Sequence, residues 1–273
     1  MRLRDLKAEL QRVRPFDVKR QKYDLEQYPT GAEIAAHLVF TAATVHGDIE
    51  DCVVADLGCG TAMLGIGAAL MGASTVLGMD ADMDALEIAQ QNVCQLDVAH
   101  ICDFAICDVG FLPTRPGLPI VDTVIMNPPF GTRSKGADVA FLEAAIALRP
   151  HAIYSLHKSS TRDYLLRRAR DDWGVQAEVI AELRFDIPKM YKFHKSKSRD
   201  IEVDFIRLEL PEELRDSPCQ PSAGEERAES PEFLSTNSPS AHSPAPLPPP
   251  PPSPPAAGAA AGTEAAGAGG GAA

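Results

Sequence analysis

Two hydrophobic periods alternate along the first 210 residues. Leu3, Leu6, Leu10 and Val13 recur at spacings of three and four, which makes one apolar helical face that ends before Pro15. Helical stretches are also predicted at Glu33 to Val45, Met63 to Met71, Ala81 to Cys94, Asp138 to Leu148 and Thr161 to Trp173. Short apolar runs bounded by turn residues lie between them. These read as strands at Val53 to Leu57, Thr75 to Asp80, Asp103 to Asp108, Asp122 to Met126, Ala152 to Leu156, Glu178 to Phe185 and Ile201 to Leu210. Alternating strands and helices predict an α/β fold, a seven-stranded, mostly parallel sheet with helices on both faces. No helical pattern separates the last two strands, so they are expected to form an antiparallel pair at one edge.

From about Pro211 the pattern stops. Pro, Ser, Ala and Gly dominate, including the run Pro248 to Pro252, and such a segment buries too little apolar surface to offset its ordering entropy. The expected organisation is one domain over 1–210 and a disordered tail over 211–273. The proline run has the composition of an SH3-type ligand, but a passive tail is the simpler reading.

Composition adds limits. Hydrophobic residues make up 45% of the 273, enough for a substantial core. Net charge is −12, and the eight acids and two bases of 211–273 account for −6 of it, leaving −6 for 1–210. Contact with a polyanion must therefore come from local basic clusters. The six cysteines (Cys52, Cys59, Cys94, Cys102, Cys107, Cys219) form no Cys-x-x-Cys pair. That usage predicts reduced thiols, neither disulfides nor zinc, and a nuclear and cytoplasmic compartment. No stretch reaches the length of a membrane span. The basic start (Arg2, Arg4, Lys7, Arg12, Arg14) is interrupted by Asp5 and Glu9, so it reads as structure rather than a transit peptide.

Chemistry is suggested at two strand ends. The first strand runs into Gly58-Cys59-Gly60, and the next ends in Asp80, 22 residues after Gly58. Glycines allow a tight turn and close backbone approach, and a strand-end acid at this distance suits ribose hydroxyls. The third glycine of a pyrophosphate-binding loop is absent, since Met63 stands there, which points to a plain adenosine compound. Asp108 ends the third strand and is placed either to accept from an adenine amino group or simply to sit in a solvated turn. The fourth strand ends at Asn127-Pro128-Pro129-Phe130. Two prolines cannot continue a ladder and stiffen the backbone, leaving an amide at the strand end beside an aromatic ring. That pairing suits a planar group bearing an amino substituent; the plain alternative is a Pro-Pro turn with a buried Phe. Upstream, Gln27 and Thr30 stand at a helix entrance, Thr30 as a candidate cap.

Basic residues cluster twice: in the helix with Arg162, Arg167, Arg168 and Arg170, and in the insert with Lys189, Lys192, Lys195, Lys197 and Arg199 interleaved with Tyr191 and Phe193. Cations follow a phosphate backbone while rings stack on bases, so these are the candidate RNA contacts, although charge runs are more often solvated loops. His194 reads as surface.

Taken together, Asp56-Leu57-Gly58-Cys59-Gly60, Asp80 and Asn127-Pro128-Pro129-Phe130 resemble the class I S-adenosylmethionine-dependent methyltransferases that modify exocyclic or amide nitrogen. Leu25-Glu26-Gln27-Tyr28-Pro29-Thr30, Tyr154 to Arg162 and Tyr191-Lys192-Phe193-His194-Lys195 narrow this. They are similar to the methyltransferase-like-five family, N6-adenosine methyltransferases of small-subunit, 18S, ribosomal RNA, over about 1–210. The resemblance implies a Rossmann-like fold, S-adenosyl-L-methionine as cofactor and a small zinc-binding activator subunit of the Trm112 type. The third-strand region Ile101 to Ile106 is the expected contact for that subunit. It also implies that Gln27, Thr30, Asp56, Gly58, Gly60, Asp80 and Asp108 line the cofactor site, with Thr61 and Ala62 in the adjoining loop. Ala62 stands where such families often carry glycine, and its methyl is expected to crowd the methionine portion. The implied chemistry has the Asn127 oxygen and the Pro128 carbonyl accepting from the N6 amino group of an unpaired or flipped adenine. Pro129 stiffens the turn, Phe130 stacks on the base, and no general base is needed. Two rival readings stay open: a protein glutamine N-methyltransferase and a non-catalytic RNA- or ribosome-binding scaffold.

Overall fold

In the computed structural model, which describes residues 1–16, 22, 25–27, 29–114, 120–131, 135–188 and 198–216, seven strands form one sheet. They are β1 (Val53–Leu57), β2 (Thr75–Asp80), β3 (Cys102–Ile106), β4 (Thr123–Met126), β5 (Ala152–Lys158), β6 (Gln176–Pro188) and β7 (Ser198–Glu209), in the spatial order β3-β2-β1-β4-β5-β7-β6. β1 pairs in parallel with both β2 and β4, and β7 lies antiparallel between β5 and β6. The expected antiparallel edge pair is therefore present, and β7 is the one strand that runs against the others.

The chain begins at the middle of the sheet, moves outward to β3, and returns to β4 on the far side of β1. This reversal is a topological switch point, the place where open α/β sheets form ligand crevices at the carboxyl ends of their strands. The register is informative: Leu57 pairs with Met126 and with Met79. One residue further along, Gly58, Asp80 and Asn127 therefore end adjacent strands. Residues separated by up to 69 positions in sequence become neighbours through strand pairing alone.

Side-chain alternation sorts the core into two layers. Val54, Val76, Ile125 and Tyr154 face α1 (Leu3–Leu10), α2 (Ala32–Thr41), α3 (Met63–Leu70) and α4 (Met83–Gln95). Ala55, Leu57, Val124, Met126 and Ile153 face α5 (Ala137–Ala147) and α6 (Arg162–Arg168). The predicted helices stand close to where the pattern put them. Two differ at their ends: α2 and α6 each finish in a π-helical turn, Ala42–His46 and Ala169–Trp173, closed by left-handed Gly47 and Gly174. Thr30 does not cap α2; the N-cap is Gly31, with no side-chain cap bond. The boundary at 210 moves as well. A short helix, α7 (Glu212–Asp216), follows β7, and its Leu214 packs against the second core layer. The rest of the expected tail lies outside the described residues.

Far from the cavity, a buried polar network ties β5 and β7 to the loop before β1. Asp48, 5% exposed, accepts from Tyr154 Oη at 2.6 Å and from the Arg207 guanidinium at 3.1 Å, while its backbone carbonyl accepts from Thr123 Oγ1. Arg207 also pairs with Glu209 at 2.5 Å. Removing Asp48 leaves the buried Arg207 guanidinium with Glu209 as its remaining counter-charge and Tyr154 Oη without its acceptor, which costs several kcal/mol. Asp48→Ala is expected to lower the unfolding free energy by about 3–5 kcal/mol, read as a fall in the urea midpoint.

Candidate functional site

A cavity of about 320 Å³ opens at the carboxyl ends of β1, β2 and β4. Its floor is the turn after β1. Gly58 and Gly60 both have positive φ, and an added Cβ at Gly58 would sit 2.9 Å from Phe141 and at Gly60 2.7 Å from Phe16. Conformation and space both exclude larger residues there. Asp80 holds this turn in place: its Oδ2 accepts from the Gly60 amide at 2.8 Å and its Oδ1 from the Asp82 amide at 2.9 Å. Asp56, 1% exposed, accepts from the Gly65 amide at 2.8 Å and so anchors the first turn of α3.

Among the described residues, those lining the cavity include four acids, Glu26, Asp56, Asp80 and Asp108, and no Lys or Arg. Burial pushes the Asp56 carboxyl up to about 7, against the Gly65 hydrogen bond that lowers it, and the nearby Asp80 raises it further. Burial also raises Asp80, partly offset by its bonds from backbone amides. Such a wall favours a cationic ligand and opposes a phosphate. The same burial pushes the Cys59 thiol well above its usual range, so the residue between the two glycines is an inert space-filler.

Of the expected cofactor residues, Gln27, Thr30, Asp56, Gly58, Gly60, Thr61, Asp80 and Asp108 all line the cavity. Gln27 gives its side-chain hydrogen bonds to the protein: Nε2 donates to Asp82 Oδ2 at 2.6 Å and Oε1 accepts from the Lys22 amide at 2.8 Å. Ala62 is not in the lining. It is 1% exposed, its side chain joins the core beside α2 and α3, and its backbone is left-handed with φ 65°. The expectation that its methyl crowds the ligand is therefore corrected. The preference for glycine at this position reflects backbone conformation, not space in the cavity.

Asn127 and Pro129 line the cavity on the β4 side, while Pro128 is buried behind them. Asn127 Nδ2 donates to Thr30 Oγ1 at 2.9 Å. Asn127 Oδ1 is buried and has no hydrogen-bond partner among the described residues. Phe130 stands just outside the lining. Lys158, at the end of β5, donates to its carbonyl at 3.2 Å and lies 5.9 Å from its ring centroid.

Pattern reading missed three residues. Phe16 packs on Gly60 and lines the cavity. Asn92 of α4, fully buried, bonds Arg14 through both backbone groups and also donates to the Thr61 carbonyl, tying the N-terminal segment to the glycine turn. Lys158 was legible only as part of a resembling motif. The basic helix needs a correction: Arg162 pairs with Asp204 and Glu182, Arg168 with Glu143 and Asp172, and Arg170 with Asp171. Its charge is largely neutralised by neighbours. Of the basic insert, Lys189, Tyr191, Lys192, Phe193, Lys195 and Lys197 lie outside the described residues, as does the side chain of Arg199.

A glycine turn and a strand-end amide meeting at the switch point of this sheet order place the fold among the class I methyltransferases. Comparison with known proteins agrees. The family described as ribosomal protein L11 methyltransferase (PrmA) matches residues 42–125. The solved structure of the candidate RNA methyltransferase PH1948 of Pyrococcus horikoshii superposes with a TM-score of 0.67 at 33% identity, covering 77% of this chain and 98% of that one. The rRNA N6-adenosine-methyltransferase METTL5 of Danio rerio is 48% identical over 209 residues, 76% of this chain and 99% of its own. The Drosophila melanogaster protein of the same name is 44% identical over 211 residues, 77% of this chain and 97% of its own. The chain belongs to the METTL5 family of rRNA N6-adenosine-methyltransferases.

Two outcomes test this geometry. Asp56 holds a proton up to about pH 7 in the folded chain that an unfolded chain releases near 3.8. The stability this gives is complete below pH 3.8 and lost as pH rises through 7. His157, buried and pushed down to about 4, works in the opposite direction, since its share is lost as pH falls from 6.5 through 4. The two mask each other in the wild type. The variant Asp56→Asn should be stabilised relative to wild type more strongly at pH 8 than at pH 5, measured by thermal unfolding. At the left-handed Ala62, glycine relieves strain but loses a buried methyl worth about 0.8 kcal/mol and adds chain entropy, so Ala62→Gly should be near neutral. Ala62→Val should cost about 2–4 kcal/mol in chemical unfolding, from strain plus overpacking.

Proposed function

We propose that this chain transfers a methyl group from S-adenosyl-L-methionine to N6 of an adenosine in small-subunit, 18S, ribosomal RNA. The observation that carries the reading is the buried, unpartnered Asn127 Oδ1 at the wall of an acid-lined cavity. A buried acceptor without a donor is costly, and it persists where a ligand supplies the donor. An exocyclic amino group is such a donor.

The residues fit the cofactor. The sulfonium and ammonium of S-adenosylmethionine are cations, and the described residues of the lining present acids without Lys or Arg. Asp80 at the end of β2 and Asp108 just past the end of β3 stand where ribose and base would be held, and Gln27, Thr30 and the glycine turn close the remaining walls. When bound, the cofactor supplies an activated methyl group. The protein does the rest by positioning and electrostatics. Asn127 Oδ1 and the Pro128 carbonyl accept from the adenine amino group, drawing the nitrogen toward a tetrahedral geometry and directing its lone pair into the cavity. The two prolines hold these acceptors still. Phe130, fixed by Lys158, stacks on a base that has left its helix, since a stacked base is out of reach. The methylated nitrogen is acidic and releases its proton to water, so no side chain is needed as a base.

RNA contact is assigned to the insert between β6 and β7. Lys158 stands opposite Val203, which pairs with Leu183, and the β6–β7 ladder continues to Pro188. The hairpin thus projects about 17 Å past the carboxyl end of β5, toward the side where the cavity opens. A Trm112-type zinc-binding activator is assigned to the outer edge of β3, where Ile106 is 47% exposed. The rival protein-amide reading gains little from the ribosomal protein L11 methyltransferase match. That match ends at residue 125, before Asn127, and so spans the cofactor half only.

The purified chain, with and without activator, is incubated with labelled cofactor and either small-subunit ribosomal RNA or glutamine-bearing peptides. Label as N6-methyladenosine is expected; label in peptide alone would overturn the reading. Asn127→Ala should lower the rate by about 10²–10³-fold or more while the affinity for S-adenosylhomocysteine, measured by calorimetry, stays within about threefold.

A further inference from the structure

Resting on the reading above and extending it, we infer that Thr30 is a positioning residue that decides which end of the Asn127 amide faces the substrate. A primary amide has two ends of nearly equal shape and opposite chemistry: an oxygen that accepts and an NH₂ that donates. Only the oxygen can receive the N6 amino group. Rotated by half a turn, the side chain sets NH₂ against NH₂. Pro128 and Pro129 stiffen the backbone after Asn127 but do nothing to fix this rotation, and the terminal amide torsion is intrinsically broad and roughly two-fold.

The group that fixes it comes from elsewhere in the chain. Thr30 Oγ1 lies 2.9 Å from Asn127 Nδ2 and accepts its proton, which leaves Oδ1 directed away and unpartnered. Thr30 is 9% exposed, lines the cavity and is not used as the cap of α2, whose N-cap is Gly31. Among the described residues, its side chain makes this one hydrogen bond. A hydroxyl can also donate, and if it donated to Asn127 the amide would sit the wrong way round. The direction is set by where the hydroxyl proton goes. No described protein group accepts it, and the hydroxyl faces the cavity. An oxygen acceptor on a cavity ligand takes that proton and leaves the Thr30 oxygen free to accept from Asn127. Proton donation then runs one way: Thr30 to ligand, Asn127 to Thr30, adenine to Asn127. Occupancy of the cofactor cavity and readiness of the base-binding amide become linked, and the linkage is reciprocal.

The experiment compares the wild-type chain with Thr30→Val, which keeps the shape and removes the hydroxyl, and with Thr30→Ser, which restores it. In the productive orientation, Thr30→Val leaves the Asn127 NH₂ buried without an acceptor. The expected loss in kcat on ribosomal RNA at saturating cofactor is about 5- to 100-fold. The Kd for S-adenosylhomocysteine should rise by about two- to tenfold, because the ligand loses the Thr30 donor, and Thr30→Ser should recover most of both the affinity and the rate. Thermal unfolding is measured in parallel; a purely structural role would lower the midpoint without recovery of kcat in the folded protein by Thr30→Ser. If Thr30→Val weakens cofactor binding by any factor and leaves the saturated kcat unchanged, Thr30 is a cofactor ligand only and the inference fails. It also fails if neither quantity moves. Should Thr30→Val not fold, Thr30→Ala and Thr30→Ser give the same comparison. A wild-type chain that methylates no adenosine removes the functional reading and this role together. A wild-type chain that does so, matched by Thr30→Val, removes only the role of Thr30.

Discussion

The pairing of Leu57 with Met126 across β1 and β4 is the constraint on which the site depends. At that register the glycine turn and the Asn-Pro-Pro-Phe segment leave the sheet side by side. The chain then departs in opposite directions, because α3 packs on one face of the sheet and α5 on the other. A crevice opens between the two departures because neither strand can continue its ladder past Gly58 or Pro128. A slip of one residue between β1 and β4 would also turn Ala55 and Leu57 from one core layer to the other, so the hydrophobic pattern itself protects the register.

The crevice collects negative charge at a cost. Asp56 and Asp80 are largely withdrawn from water; the Asp80 charge adds to the rise of Asp56, and the Asp82 charge to that of Asp80. Backbone amides of Gly60, Gly65 and Asp82 offset part of that cost, so the same hydrogen bonds shape the turn and keep the acids in place. A cationic ligand relieves the remainder. Among the described residues the charge of the lining has one sign, which suits a cationic ligand and opposes the phosphate-bearing ligands that similar βαβ units hold elsewhere.

The segment before α2 completes the cavity and is fastened at three points. Asn92 holds Arg14 and the Thr61 carbonyl; Asp82 holds Gln27 and Lys22; Asn127 holds Thr30. Each fastening joins the N-terminal segment to a different part of the fold: α4 and the glycine turn, the loop after β2, and the end of β4. These bonds align the walls of the cavity and the Asn127 amide relative to each other.

The amino-acid sequence by itself determined the elements, the sheet class with its antiparallel edge pair, and the two strand-end motifs. These rest on periodicity and on Gly and Pro, whose effects are local to the chain. It also placed Asp80 and Asn127 at strand ends, where a side chain meets a crevice, and Asp108 at the end of a third strand that in fact stops two residues earlier, at Ile106. The tertiary structure decided what the pattern could not reach. Phe16 and Asn92 carry no local signal, since a helix-face amide or a lone ring reads as ordinary packing until its distant partners are known. Ala62 was legible as an unusual residue, but only its backbone angle showed that the strain lies in φ rather than in the cavity. The arginines of α6 looked like a nucleic-acid face until Asp204, Glu182 and Glu143 came in from other elements to neutralise them. The partnership of Thr30 with Asn127 spans 97 residues. Hydrogen bonds of that reach follow from strand order and register, which fix neighbours in space that no window along the chain contains.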